Sequence, residues 1–294
     1  MIESQPANAP TIGVFDSGFG GLTVLRALIE KLPRARFAFV GDTARLPYGS
    51  KSRRTIARYA VESAQFLVRE QGAEYLVIAC NTASALALDA IQDAVPVPVL
   101  GVIEPGATAA RHASKTNDVL VIATDATVQS QAYTGACRAQ GLRALEKACP
   151  LLVPLVEEGW TNHPVTEEVI DIYLNELRAE AWLRGLNPDT LVLGCTHYPL
   201  LRPLIERAVR PGVKVIDSAE ATAQVAAQIF NGRGCPILAE PAAADSVRVG
   251  GASIEVPQTE IRCFATDSVE KFERLGSRFL GRPVGKVELL DLGG

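Results

Sequence analysis

Ala79-Cys80-Asn81-Thr82-Ala83-Ser84 and Gly194-Cys195-Thr196-His197-Tyr198-Pro199 decide how this chain folds. Each follows a short apolar run, Tyr75-Leu76-Val77-Ile78 in the first case and Thr190-Leu191-Val192-Leu193 in the second. Runs of β-branched and aliphatic residues of that length, bounded by polar ones, predict strands buried on both faces. A residue with cap chemistry and then helical spacing follows each cysteine. Each cysteine is therefore expected where a strand ends and a helix begins.

Working outward, the same order of elements recurs around both cysteines. In the first half, Thr11–Phe15 reads as a strand, 16–21 as a glycine-rich turn and Leu22–Lys31 as an amphipathic helix stopped by Pro33. Arg36–Val40 is a second strand, Thr55–Glu70 a helix, 75–79 a third strand, and a helix runs from Cys80 to about Asp93. Val97–Val102 is a fourth strand, and Glu104-Pro105-Gly106 opens another helix. In the second half, Asp118–Ala123 and Pro150–Leu155 read as strands, Thr166–Leu183 as a long helix and 190–194 as the strand before Cys195. Val213–Ile216 and Ile261–Ala265 are further strands, each followed by a helix, Ala219–Phe230 and Val269–Leu280. The segments around Cys80 and Cys195 align without a gap, and the intervals Ile12–Cys80 and Val119–Cys195 are similar in length. Two related α/β units are expected, from an ancient duplication. Strands alternating with helices give parallel sheets covered on both faces. In such sheets ligands bind beyond the carboxyl ends of the strands, where Asp16, Asp42, Cys80, Asp125, Glu157, Cys195 and Asp217 all fall.

Composition narrows the function. The 294 residues are 48% hydrophobic and 21% charged, the mixture of an ordinary globular protein. Apolar runs are too short to span a bilayer. Met1–Pro10 lacks a basic run followed by an apolar one, so no signal peptide and a cytoplasmic location are expected. A net charge of −4 without basic blocks disfavours nucleic acid as a partner. None of the six cysteines forms a C-x-x-C pair, which leaves zinc ribbons and thioredoxin-type chemistry without support. Free thiols are expected, with Cys137, Cys149, Cys235 and Cys263 as small buried hydrophobes.

Cys80 and Cys195 are different, because a helix N-terminus lowers a thiol pKa. Neighbouring N–H groups, with Asn81, Thr82 and Thr196, also suit a substrate carboxylate, whether or not Asn81 and Thr196 serve as caps. Two thiols on opposite sides of one carbon would remove a proton from one face and return one to the other, which is racemisation. Asp16 and Glu157 could tune protonation or take a substrate ammonium, and His197 could orient or protonate Cys195. The turn Gly18-Phe19-Gly20-Gly21 departs from G-x-G-x-x-G, so it reads as a tight strand-to-helix turn with close approach to a ligand. No P-loop is present, and no lysine stands in a recognisable pyridoxal-phosphate setting.

Four blocks resemble bacterial glutamate racemase: 14–21 (VFDSGFGG), 42–49 (DTARLPYG), 79–84 (ACNTAS) and 193–199 (LGCTHYP). The resemblance implies cofactor-independent interconversion of L- and D-glutamate, supplying peptidoglycan synthesis. It implies Cys80 and Cys195 as the two proton donors and acceptors, assisted by Asp16, His197 and Glu157, with Glu158 as the alternative to Glu157. Substrate contacts implied are Asp16, Ser17, Tyr48, Gly49, Asn81, Thr82, Thr196 and His197, with no metal. Members of that family are commonly dimers, so a homodimer is an expectation of the same kind.

The fold expected is α/β: two similar parallel-sheet domains related by pseudo-two-fold symmetry, with the active site in the cleft between them. The first would comprise residues 1–100 and 213–294, the second 101–212. Two rivals stand beside this: an amino-acid or hydantoin racemase of different substrate, and a non-catalytic α/β binding protein whose two cysteines are core.

Overall fold

The computed structural model describes residues 9–232 and 259–292. The first half runs β1 (Thr11–Asp16), α1 (Leu22–Lys31), β2 (Arg36–Gly41), α2 (Arg53–Arg69), β3 (Tyr75–Ile78), α3 (Asn81–Leu86), α4 (Leu88–Ala94), β4 (Val99–Gly101) and α5 (Ile103–Ala113). The second runs β5 (Asp118–Ala123), α6 (Asp125–Ser130), α7 (Ala132–Ala139), β6 (Arg143–Ala148), α8 (Leu152–Glu157), α9 (Pro164–Leu183), β7 (Thr190–Gly194), α10 (Arg202–Ala208), β8 (Lys214–Asp217) and α11 (Ser218–Gly232). The chain closes with β9 (Ile261–Ala265), α12 (Val269–Leu280) and β10 (Val287–Leu289).

Among the described residues two all-parallel sheets form, ordered β10-β9-β2-β1-β3-β4 and β6-β5-β7-β8. Within the first, β2-β1-β3-β4 repeats the order of the whole second sheet, strand for strand. The duplication expected from the cysteine segments is therefore present in the topology. The central strands β1, β5 and β7 are buried along their full length, as the apolar runs within them require. Helices supply the cover. In α2, Ser52 caps the N-terminus through the N–H of Thr55, and Ile56, Ala60, Phe66 and Leu67 fall on one buried stripe. Each large apolar side chain buried there contributes about 1.5–3 kcal/mol. One apolar cluster is continuous across both sheets, from Val14 and Phe39 through Ala219 and Ala223 of α11 to Leu191 and Leu193. α11 packs on both α1 and α5 and so ties the domains together.

Several elements differ from expectation. Pro150–Leu155 is not a strand: it begins in a turn and enters α8, and the strand beside β5 is β6, immediately before it. The run Leu151–Val156 is apolar at both helical and strand spacing, so periodicity alone could not separate the two. The helix after Cys80 breaks at Ala87, whose φ of −132° lies outside the helical region. Residues 213–217 were expected to rejoin the first domain, but β8 pairs with β7. Among the described residues, strand pairing returns the chain to the first sheet at β9, which adds to β2. Cys137, Cys149 and Cys263 are buried free thiols; Cys235 and the N-terminal residues 1–8 lie outside the described residues. No helix among the described residues is long and apolar enough to cross a membrane.

Candidate active site

The carboxyl end of β3 delivers Cys80, and the carboxyl end of β7 delivers Cys195. They are 5% and 6% exposed. Cys80 caps α3 with its sulfur, which accepts the N–H of Ala83 at 3.4 Å, while its S–H donates to the Ser17 hydroxyl at 3.4 Å. The Cys195 sulfur lies 3.9 Å from Nδ1 of His197, and Nε2 of His197 lies 3.2 Å from Oε1 of Glu157. Glu157 is the last residue of α8, whereas Glu158 is exposed, so Glu157 is the carboxylate that reaches the histidine.

The two junctions abut through a set of contacts between domains. The Thr82 hydroxyl is 3.0 Å from that of Thr124 and 3.4 Å from that of Thr127. Tyr133 donates its hydroxyl to Oδ1 of Asn81 at 2.7 Å. Thr23, in the first turn of α1, donates to the carbonyl of Thr196. A Cβ on Gly49 would lie 3.4 Å from Thr124. One on Gly20 would come within 2.3 Å of Oγ1 of Thr196 and 2.7 Å of the His197 ring. That explains the glycine: the turn after β1 sits directly against the Cys195 segment. Tyr48 is buried and donates to Asp42, which also accepts from Arg45 and Thr266. The sequence-predicted residues Asp16, Ser17, Tyr48, Gly49, Asn81, Thr82, Thr196, His197 and Glu157 thus belong to one connected neighbourhood with both cysteines.

In this neighbourhood Oδ1 of Asp16 and Nδ2 of Asn81 are buried without a hydrogen-bond partner, as is Nη2 of Arg45 beside Asp42. The Asp16 oxygen accepts and the Asn81 amide donates, and an unpaired buried polar atom is costly unless a ligand satisfies it.

A profile of the Asp/Glu/Hydantoin racemase family matches residues 12–226. The chain belongs to that family. A glutamate racemase of Koribacter versatilis is 52% identical to this racemase, over 97% of this chain and 98% of the relative. A glutamate racemase isoform of Bacillus anthracis has a crystal structure that superposes with a TM-score of 0.82 at 35% identity, over 96% of this chain and 98% of the other. The glutamate racemase of Francisella tularensis, crystallised in complex with D-glutamate, superposes with a TM-score of 0.80 at 33% identity, over 97% and 98%.

The two thiols of this racemase have different neighbours, Ser17 and Asp16 at Cys80 and His197 at Cys195. Burial pushes Cys80 up to about 12, and the Asp16 carboxylate adds to the rise; donors from Ser17 and Ala83 oppose it. The lowering expected from the helix terminus is present through the N–H of Ala83, but burial and the Asp16 carboxylate outweigh it. Burial also raises the Asp16 pKa, against the opposing pull of His197 and the N–H groups of Gly21, Gly18 and Ser17. At His197 burial favours the neutral ring, but the Cys195 sulfur and the Glu157 carboxylate outweigh it and raise the value to about 10. His197 is thus a cation near neutral pH. Among the described residues no group of three or more His, Cys, Asp and Glu side chains is arranged to hold a metal.

Thr124, Thr127, Tyr133 and Thr23 were not singled out from sequence. A signal was available for the first two: Thr124-Asp125-Ala126-Thr127 follows β5, the counterpart of β1, and so occupies the place that Asp16-Ser17 holds in the first domain.

Proposed function

We propose that this racemase interconverts L- and D-glutamate by two proton transfers at Cα, with Cys80 and Cys195 as the acid and base. The observation that carries the proposal is the pair of buried cysteines at equivalent strand–helix junctions of two abutting domains. In one direction a Cys195 thiolate takes the Cα proton. The Cα–H electron pair is left on carbon and delocalises into the substrate carboxylate. The Cys80 thiol then gives its proton to the opposite face, forming the new Cα–H bond. Nothing is oxidised or reduced, and the two sulfurs exchange protonation states. Glutamate itself follows from the relatives at 52%, 35% and 33% identity.

The surroundings support this division of labour. His197 places Nδ1 3.9 Å from the Cys195 sulfur, within reach of its proton, while Cys80, pushed up to about 12, rests as a proton-bearing thiol. The unpaired Asp16 oxygen suits a substrate ammonium. The unpaired Asn81 amide, with Thr82 and Thr196, suits a carboxylate whose charge grows as the proton leaves. Tyr48 and Gly49, beside Thr124, are proposed to bound the far end of the substrate. Cys80, Cys195, Asp16, Asn81, Thr82, Thr196 and His197 are all buried, so the domains must part to admit substrate. We assign the D-glutamate formed to peptidoglycan synthesis.

The decisive measurement is circular dichroism of L-glutamate, L-aspartate and a hydantoin incubated side by side with wild type, Cys80→Ala and Cys195→Ala. Glutamate should racemise with wild type, and each variant should lose about 10²–10⁴-fold or more, the scale of a positioned acid or base. Near wild-type turnover by either variant overturns the two-thiol mechanism; preference for aspartate or hydantoin overturns the substrate.

A further inference from the structure

Thr23 is 1% exposed, and its hydroxyl stands 3.0 Å from the carbonyl of Gly20 and 3.1 Å from that of Thr196. A hydroxyl carries one proton, so the two carbonyls share it or compete for it. The bond to Gly20 is local: a threonine in a helix readily bonds back to a carbonyl one turn earlier. The bond to Thr196 is not local. It joins α1 of the first domain to the residue directly after Cys195 in the second. The missing Cβ of Gly20 leaves room for the Thr196 and His197 side chains to lie against this turn.

We propose, building on the two-thiol mechanism above, that Thr23 is a positioning residue for Cys195. Its hydroxyl holds the Thr196 peptide from across the domain interface, which fixes both the Cys195 sulfur and the Thr196 hydroxyl against the substrate. When the domains part, the Gly20 carbonyl takes the proton, so the buried donor is never left without a partner. The contact therefore forms on closure and releases without stranding a polar group.

The test uses a property of racemases. With an equilibrium constant of one, kcat/KM must fall equally for both enantiomers whatever is changed. What can change is which proton transfer is slower. If Cys195 is misplaced, its transfer becomes limiting. The isotope effect from deuterium at Cα then rises for the enantiomer that Cys195 deprotonates and falls for the other. General loosening of the fold lowers the rates without splitting the two effects.

Thr23→Val removes the hydroxyl and keeps the shape; Thr23→Ser keeps the hydroxyl. Thr23→Val should lower kcat/KM about tenfold, the scale of one hydrogen bond, with the two isotope effects moving in opposite directions. Thr23→Ser should stay within about twofold of wild type, unsplit. Should Thr23→Val fail to fold, Thr23→Ala is measured in the same way. Isotope effects that stay put or move together in a folded hydroxyl-free variant overturn the proposal, as does a serine variant that behaves like valine. Cys80→Ala and Cys195→Ala serve as controls: turnover in either sinks the mechanism itself, whereas two inactive controls with unsplit effects sink only the role of Thr23.

Discussion

His197 shows how one side chain is set by three kinds of neighbour. The Cys195 sulfur and the Glu157 carboxylate hold its two nitrogens, and the ring of Phe279 meets it edge-on with centroids 5.0 Å apart. Packing against Phe279 and Phe19 fixes the plane of the ring, and the two polar partners fix its charge. Glu157 favours the protonated ring, so Glu157→Gln should lower the His197 pKa from about 10, by about one unit for each 1.4 kcal/mol of lost interaction. Nitrogen-15 NMR of the imidazole measures it directly; an unmoved titration would mean that the carboxylate does not set the charge. Sequence alone leaves Glu157 and Glu158 open, because they are adjacent in a segment without strong patterning. On a helix ending at residue 157, one points to His197 and the other to solvent.

At the scale of elements, the strands that carry the site were legible because they are nearly all apolar. β6 was not. Its sequence, Arg143-Ala144-Leu145-Glu146-Lys147-Ala148, places charges inside the strand, and it became visible only beside β5. The contacts between domains were equally hidden, since hydroxyls such as Thr124 and Thr127 look like ordinary helix caps until a partner domain faces them. The turn after β1 is tight, as its glycines lead one to expect, and the close approach it allows is to the Cys195 segment. None of Gly18, Gly20 and Gly21 has positive φ; what they supply is room. Gly20→Ala should push the Cys195–His197 segment away by a fraction of an ångström or more. The expected result is a loss of about 10²-fold in kcat, the scale of a misplaced reacting group, with an unchanged far-ultraviolet circular dichroism spectrum. An alanine variant with normal kcat would show that the segment yields without consequence.

For the whole molecule, burial of ionisable groups fixes how stability depends on pH. Burial pushes Cys80, Cys137, Cys149 and Cys263 up to about 12 from 9.0, while His197 stands at about 10 against 6.5. In every case the folded state holds the proton more tightly than the unfolded chain. Each group therefore contributes fully below its unfolded pKa and loses that contribution as pH rises to the folded one. Thermal melts should show stability falling from about pH 6.5, through His197, and more steeply above about pH 9, as unfolded thiols ionise. Asp16 and Asp217, both raised by burial, act with the same sign at lower pH. A melting temperature that climbs between pH 7 and 10 would contradict this. His197→Asn should flatten the first part of the slope and leave the second.

The late return of the chain to β2 has a consequence for biosynthesis. The sheet of β5 to β8 is one uninterrupted stretch, with every strand present once Asp217 has left the ribosome. The amino-terminal sheet, although translated first, keeps β2 as a bare edge until β9 emerges near the end of synthesis. An unpaired edge of that kind recruits other strands, so the nascent polypeptide is most vulnerable to misassociation in that interval. Translation order and completion order are thus reversed, and truncation before β9 removes the partner of the earliest strand pair made.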